Sequence, residues 1–252
     1  MTTFAIELES AGLCLEVRLN GVRVYRETSG VPRIREDRVN HWMVPGENLL
    51  ELWLGLPEAG SDDTTFEAEW LRWQENETRG AAERIATYRW NHELALARGE
   101  LRRAFDARVS LGNAFGEWAW QGADGGALTP GDRSAIVEVL WDLHGAVARG
   151  DVVAVRRRLA LQNDEMARAH GQEAGDRDRR QHAFLTSCVT APRWRLEPLD
   201  PATLLFAPHA DGKLVSVSDR HGLPPVRGAA SSVTFDLPSV FSKIGGAWTV
   251  VR

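Results

Sequence analysis

The sequence predicts an α+β fold. An N-terminal antiparallel β-sandwich covers residues 1–122 and a linker 123–130. Over 131–252, a helix-rich start and an antiparallel sheet form a cone-like second domain. Three observations predict this. Asn20-Gly21 separates two alternating runs, and both residues tolerate the positive φ that a two-residue hairpin turn requires. Period-two alternation then recurs in short segments through the first half. At GADGGALTP, Gly122 to Pro130, the apolar spacing changes to that of helices.

In the first half, Phe4, Ile6 and Leu8 alternate with polar neighbours, and so do Leu13, Leu15, Val17 and Leu19. Val22 and Val24 lead the return strand. Pro45-Gly46 sets a second turn before Leu49, Leu50, Leu52 and Leu54. Phe66, Ala68 and Trp70 alternate, as do Ala86, Tyr88 and Trp90, and Phe105, Ala107, Val109 and Leu111. Many short period-two segments predict a half-buried antiparallel sheet, most simply a sandwich. A helix interrupted at Gly99 is expected over Glu93–Ala104.

In the second half, Thr129-Pro130 with Asp132 predicts a helix start: the hydroxyl caps free N–H groups, proline suits the first turn, and the carboxylate complements the dipole. Ile136, Leu140, Leu143 and Val147 form one apolar stripe ending at Gly150. Asp151 caps a second helix with Val152, Val155, Leu159 and Met166 inward, and a third helix is expected near Arg179–Cys188. Strands return after Pro192: RWRLEPL, TLLFAPH, KLVSVSD, SVTFDL and AWTVVR, with Asp211-Gly212 marking a tight hairpin.

Composition narrows the function. The 43% hydrophobic and 26% charged content is that of a globular chain. A net charge of −5 argues against a nucleic-acid binder, which needs basic surface. Residues 1–122 carry 14 Arg against 20 Asp and Glu, so the first half is acidic and suited to a basic partner. Cys14 and Cys188 are isolated and read as small buried hydrophobes; two cysteines alone make no zinc site. The start, MTTFAIELESAG, lacks signal-peptide features, and no run approaches the ~18 apolar residues of a membrane span, so a cytoplasmic protein is expected. Two lysines against 28 arginines suggest a bacterial, GC-rich source.

Leu19-Asn20-Gly21 and Pro45-Gly46-Glu47-Asn48 give the first half a strand, Asn-Gly, strand, Pro/Gly-Asn, strand rhythm. It resembles the galactose-binding-like jelly-roll β-sandwich modules. That resemblance implies a sandwich and, in some members, sugar binding. LHGAVARGDVVAVRRRL, Leu143 to Leu159, and GGAWTVVR, Gly245 to Arg252, give the second half the element order of SnoaL-like, or ketosteroid-isomerase-like, α+β cones. The isomerase-type Asp and Tyr pair has no counterpart: Tyr25 and Tyr88, the only tyrosines, both lie in the first half. The resemblance therefore implies a fold without supplying a reaction.

The candidate residues are few. His144 shares a helix face with Val137, Trp141 and Ala148 and is the one candidate acid or base. Glu138 and Asp142 are a helix turn apart on a stripe that reads as solvated. His209 with Asp211 and Asp219 with His221 have metal-like spacing but sit in turn sequences, so no metal is expected. Trp42, Trp73, Trp118 and Trp120 are the candidate binding anchors; Trp73 should point away from Trp70 by alternation. No P-loop, nucleophile elbow, zincin or dinucleotide glycine motif is present, so no cofactor is implied. The reading that follows is a non-enzymatic protein-binding chain of adaptor or immunity type. The alternatives are a small-molecule binder or isomerase/hydrolase-type enzyme using the cone pocket, and a carbohydrate-binding module. An open cone reached by His144 would favour the enzyme; a filled one would not.

Overall fold

A computed structural model describes residues 1–58, 64–77, 79–89, 96, 98–173, 175–230 and 233–252. The fold is α+β with a strand-rich N-terminal part. The chain divides into two compact units, Met1–Glu117 and Trp118–Arg252.

The first unit holds β1 (Thr2–Ala11), β2 (Cys14–Leu19), β3 (Val22–Glu27), β4 (Arg33–Arg38), β5 (Gly46–Gly55), β6 (Thr65–Gln74), β7 (Glu83–Arg89) and β8 (Arg102–Leu111). They form two antiparallel sheets ordered β4-β1-β6-β7 and β3-β2-β5-β8. These are the strand orders of an eight-stranded jelly roll opened at a different loop, with β2 and β3 in the places of its last and first strands. The inner faces meet where Phe66 and Tyr88 of one sheet pack on Phe105 of the other, centroids 6.3 and 5.0 Å apart. Phe4, Ile6, Leu8, Leu15, Val17, Leu52 and Trp70 are buried between them.

The β2–β3 turn is the one the sequence predicts: Asn20 and Gly21 have φ of 54° and 74°, as a type I′ turn demands. Asn20 also does a second job. Its Nδ2 donates to the Trp42 carbonyl (2.9 Å) and to Asn48 Oδ1 (2.8 Å), and its Oδ1 accepts from the Leu49 amide (2.9 Å). Asn48 is fully buried; it accepts from the Val44 amide (2.7 Å) and donates to the Val44 carbonyl (2.8 Å). The Asn20-Gly21 and Pro45–Asn48 motifs are thus one hydrogen-bonded knot that closes an end of the sandwich. Asn40, also fully buried, holds β1 in the same way: its Oδ1 accepts from the Phe4 amide (2.6 Å) and its Nδ2 donates to the Thr2 carbonyl (3.0 Å).

The second unit begins with helices α1 (Pro130–Ala148), α2 (Val152–Arg158), α3 (Ala160–Ala169) and α4 (Asp176–Val189). Thr129 and Asp132 cap α1 reciprocally: Thr129 Oγ1 accepts from the Asp132 amide and Asp132 Oδ2 from the Thr129 amide, each at 3.1 Å. Strands β9 (Arg195–Leu196), β10 (Leu205–His209), β11 (Leu214–Ser218), β12 (Arg227–Ala230), β13 (Val233–Asp236), β14 (Val240–Ile244) and β15 (Ala247–Val250) follow. They pair antiparallel as β10-β11-β14-β15 and β13-β12-β9. The predicted stripe is the core of α1: Ile136, Leu140, Leu143 and Val147 are buried with Val155, Leu185, Val215 and Phe241.

Several expectations change. The second predicted helix is two, because the chain breaks at Leu159, whose φ of −99° and ψ of 5° leave the helical region. The helix expected over Glu93–Ala104 lies partly outside the described residues, and from Arg102 the chain is strand. The glycine-rich stretch from Gly122 belongs to the second unit. The Gly126 amide bonds the Asp211 carbonyl (2.8 Å), and a Cβ on Gly212 would lie 2.0 Å from the Gly126 oxygen.

Replacing Asn48 by Ala removes both halves of an amide from a dry site and strands the Val44 N–H and C=O. We expect a loss of roughly 2–4 kcal/mol from one or two unsatisfied buried groups. Urea unfolding of the full chain measures it; a loss of only a few tenths would mean that water replaces the amide.

Candidate functional site

The sequence-predicted residues are placed as follows. His144 is half-buried on α1, edge-on to Trp141, with its Nε2 2.9 Å from the Glu197 carbonyl oxygen. Among the described residues no carboxylate hydrogen-bonds it. Asp142 pairs with Arg158, while Glu138 is exposed, so this stripe is solvated. His209 contacts the Ser216 hydroxyl at 2.9 Å. Asp219 accepts from the amides of His221 (2.7 Å) and Leu223 (3.0 Å) and pairs with Arg227 (2.9 Å). Burial pushes its carboxyl up, but the two amides and Arg227 outweigh that and hold it below the usual range. The described residues contain no group of three His, Cys, Asp or Glu able to hold a metal. Cys14 and Cys188 are free and buried, and burial pushes both thiols up.

Trp42, Trp73, Trp118 and Trp120, expected as anchors, are all buried in this chain. Trp73 does point away from Trp70, onto the outer face of its sheet, where it packs with Ala5, Leu71 and Ala82. Trp118 lies against the guanidinium groups of Arg168 and Arg252, 4.6 and 5.0 Å from its ring centre. Their apolar surface is taken up by packing, and among the described residues the exposed tryptophan is Trp141.

Trp118 also marks the node that closes the second unit. Glu165 of α3 accepts from the Ala119 amide through Oε1 and binds Arg252 Nη1 through Oε2, each at 2.6 Å. Both side chains are buried. Burial pulls the Arg252 guanidinium below its ordinary value, and Glu165 resists that pull. The Arg252 carbonyl accepts from the Val240 amide at 2.8 Å, which ties β14 to the same point.

A solvent-facing charged feature lies in the first unit, on the outer face of β4-β1-β6-β7. In β1, Phe4, Ile6 and Leu8 point inward, so Glu7 and Glu9 point outward. The register puts Glu7 opposite both Glu36 and Glu69, and Glu9 opposite Ile34 and Glu67. Carboxylates therefore face one another in two adjacent cross-strand rows, an arrangement that is intrinsically unfavourable. Three arginines temper it: Arg79 reaches Glu7 and Glu36 (3.1 Å), Arg84 reaches Glu69 (2.7 Å) and Arg89 reaches Glu67 (2.9 Å). Glu9 has no ion pair among the described residues. Beside it Ile34 is 85% exposed on the edge strand β4. An open groove of about 510 Å³ runs over this face. The alternation that turns Glu7, Glu9, Glu67 and Glu69 outward is visible in the sequence; which strands pair is not.

No family model, curated protein or solved structure matches the chain.

Glu165→Ala removes the carboxylate that pairs with buried Arg252, and we expect it to lower the stability of the second unit by about 3–5 kcal/mol. Guanidinium chloride unfolding checks this; a change under about 1 kcal/mol would mean that the pair is open to water.

Proposed function

We propose that this chain is a non-enzymatic protein-binding protein of adaptor or immunity type, which docks a basic protein partner on the acidic outer face of β4-β1-β6-β7. The observation that carries the proposal is the opposition of Glu7 to Glu36 and Glu69, and of Glu9 to Glu67, on a solvent-facing sheet. Like charges so placed repel, and a basic surface laid over them relieves the repulsion. Exposed Ile34 supplies an apolar contact at the rim of the same face. Buried free thiols suit a cytoplasmic setting, which we include in the proposal. No helix among the described residues is long and apolar enough to cross a membrane.

The alternatives draw less support. In the second unit, Ile136, Leu140, Leu143, Val155, Val215 and Phe241 fill the space between helices and sheet. His144 meets a backbone carbonyl and, among the described residues, has no orienting acid. For sugar binding, the described residues of the first unit present no large exposed aromatic side chain.

The experiment is affinity capture from the native host with three forms of the full chain. Wild type and His144→Ala should retain the same basic protein. Glu9→Lys should bind it at least tenfold more weakly, because it places a cation in the acidic rows. Capture unaffected by Glu9→Lys would contradict the proposal, as would turnover of a small molecule abolished by His144→Ala.

A further inference from the structure

We infer a second binding site of opposite charge on the second unit: a groove over α1 and α2 that takes an acidic peptide segment carrying an apolar side chain. The groove measures about 500 Å³; its charged and aromatic lining is Trp141, Arg149, Arg157, Arg158 and Asp142, set among the small residues Gly145, Ala146 and Ala154. Trp141 is 46% exposed there. Arg158 is occupied by Asp142, and neighbouring Arg156, outside the groove, by Asp178. Arg149 and Arg157 have no carboxylate partner among the described residues, so two guanidinium groups beside a half-exposed indole are available to a ligand. Tryptophan and arginine are the side chains on which binding energy concentrates, and guanidinium groups match carboxylates in two-point geometry.

A second observation points to the same place. Gly145 lies inside α1, and nothing about its backbone requires glycine: its φ is not positive. Alanine would make a better helix at that position. A Cβ there would meet Arg149 Nη1 at 3.1 Å. The missing side chain leaves room for that guanidinium and keeps the floor of the groove low. The groove is open and its arginines are spread along two helices, which suits an extended acidic chain better than a single small anion. The inference is independent of the acidic sheet of the first unit, so failure of either leaves the other standing.

The test is fluorescence anisotropy of the full chain with a labelled twelve-residue peptide of alternating glutamate and leucine. The same peptide with glutamine for glutamate is the control, and unlabelled tripolyphosphate is the competitor. The acidic peptide should bind, and the glutamine peptide should bind at least tenfold more weakly. Arg157→Glu, an exposed change, should weaken binding at least tenfold. Gly145→Ala should weaken it about threefold while the protein melts no lower than wild type, which separates binding from folding. No binding, equal binding by either variant or by the glutamine peptide, or displacement by tripolyphosphate at peptide-like concentrations would overturn the inference. The last result would mark a bare-anion site instead.

Discussion

The register of β1 between β4 and β6 is the constraint on which the first unit and its proposed function both depend. A strand's side chains alternate faces with a period of two, so one alignment decides both faces. The alignment that buries Phe4, Ile6 and Leu8 also sets Glu7 against Glu36 and Glu69, and Glu9 against Glu67. A slip by one residue would separate the glutamates but expose the core. The apolar term is far larger: burying one such side chain is worth about 1.5–3 kcal/mol, whereas a cross-strand pair is worth about 0.2–1 kcal/mol. The core therefore wins, and the acidic rows persist at the surface. Asn40 fixes the same register from the backbone by holding the Phe4 amide and the Thr2 carbonyl.

The second unit closes by a different device. Glu165 and Arg252 meet in a buried pair against Trp118, joining α3, the entry segment and the strand-end backbone. Its apolar centre gathers Ile136, Leu140, Leu143, Val215 and Phe241. Asp132 caps α1 and also receives Lys243 Nζ (3.0 Å) and Trp248 Nε1 (3.1 Å), so the GGAWTVVR segment is pinned to the first helix. Hydrogen bonds from Thr129, Lys243 and Trp248 hold that carboxyl well below the usual range. Of the carboxylates weighed for chemistry, Asp142 pairs with Arg158 and Asp219 with Arg227. Two charged, solvent-facing features stand out among the described residues: glutamate rows on a sheet of the first unit, and arginines beside Trp141 on two helices of the second.

Much of this was legible in the sequence where the signal is local. Asn20-Gly21, the Thr129-Pro130 start and the Ile136–Val147 stripe each contain their own physical reason, and each is found as expected. What was not legible depends on distant partners. Arg33–Arg38 shows no apolar period because nearly every residue is charged, yet it pairs along β1 as an edge strand, where charge is tolerated and discourages further pairing. Arg227–Ala230 carries too little apolar surface to show a period, and Gly228 is needed where a Cβ would strike the Trp194 ring at 2.6 Å. The tryptophans were misplaced for a similar reason: an aromatic side chain serves a core or a surface equally well, and only the packing around it decides.

The most direct measurement is the unfolding free energy of Glu9→Gln against wild type, at low and high ionic strength. Glu9 faces Glu67 and has no ion pair among the described residues, so the substitution removes repulsion and little else. If the register forces these carboxylates together, Glu9→Gln should be more stable by about 0.2–1 kcal/mol at low salt, and the gain should shrink as salt screens the charges. A loss of stability, or a gain that salt leaves unchanged, would contradict the account.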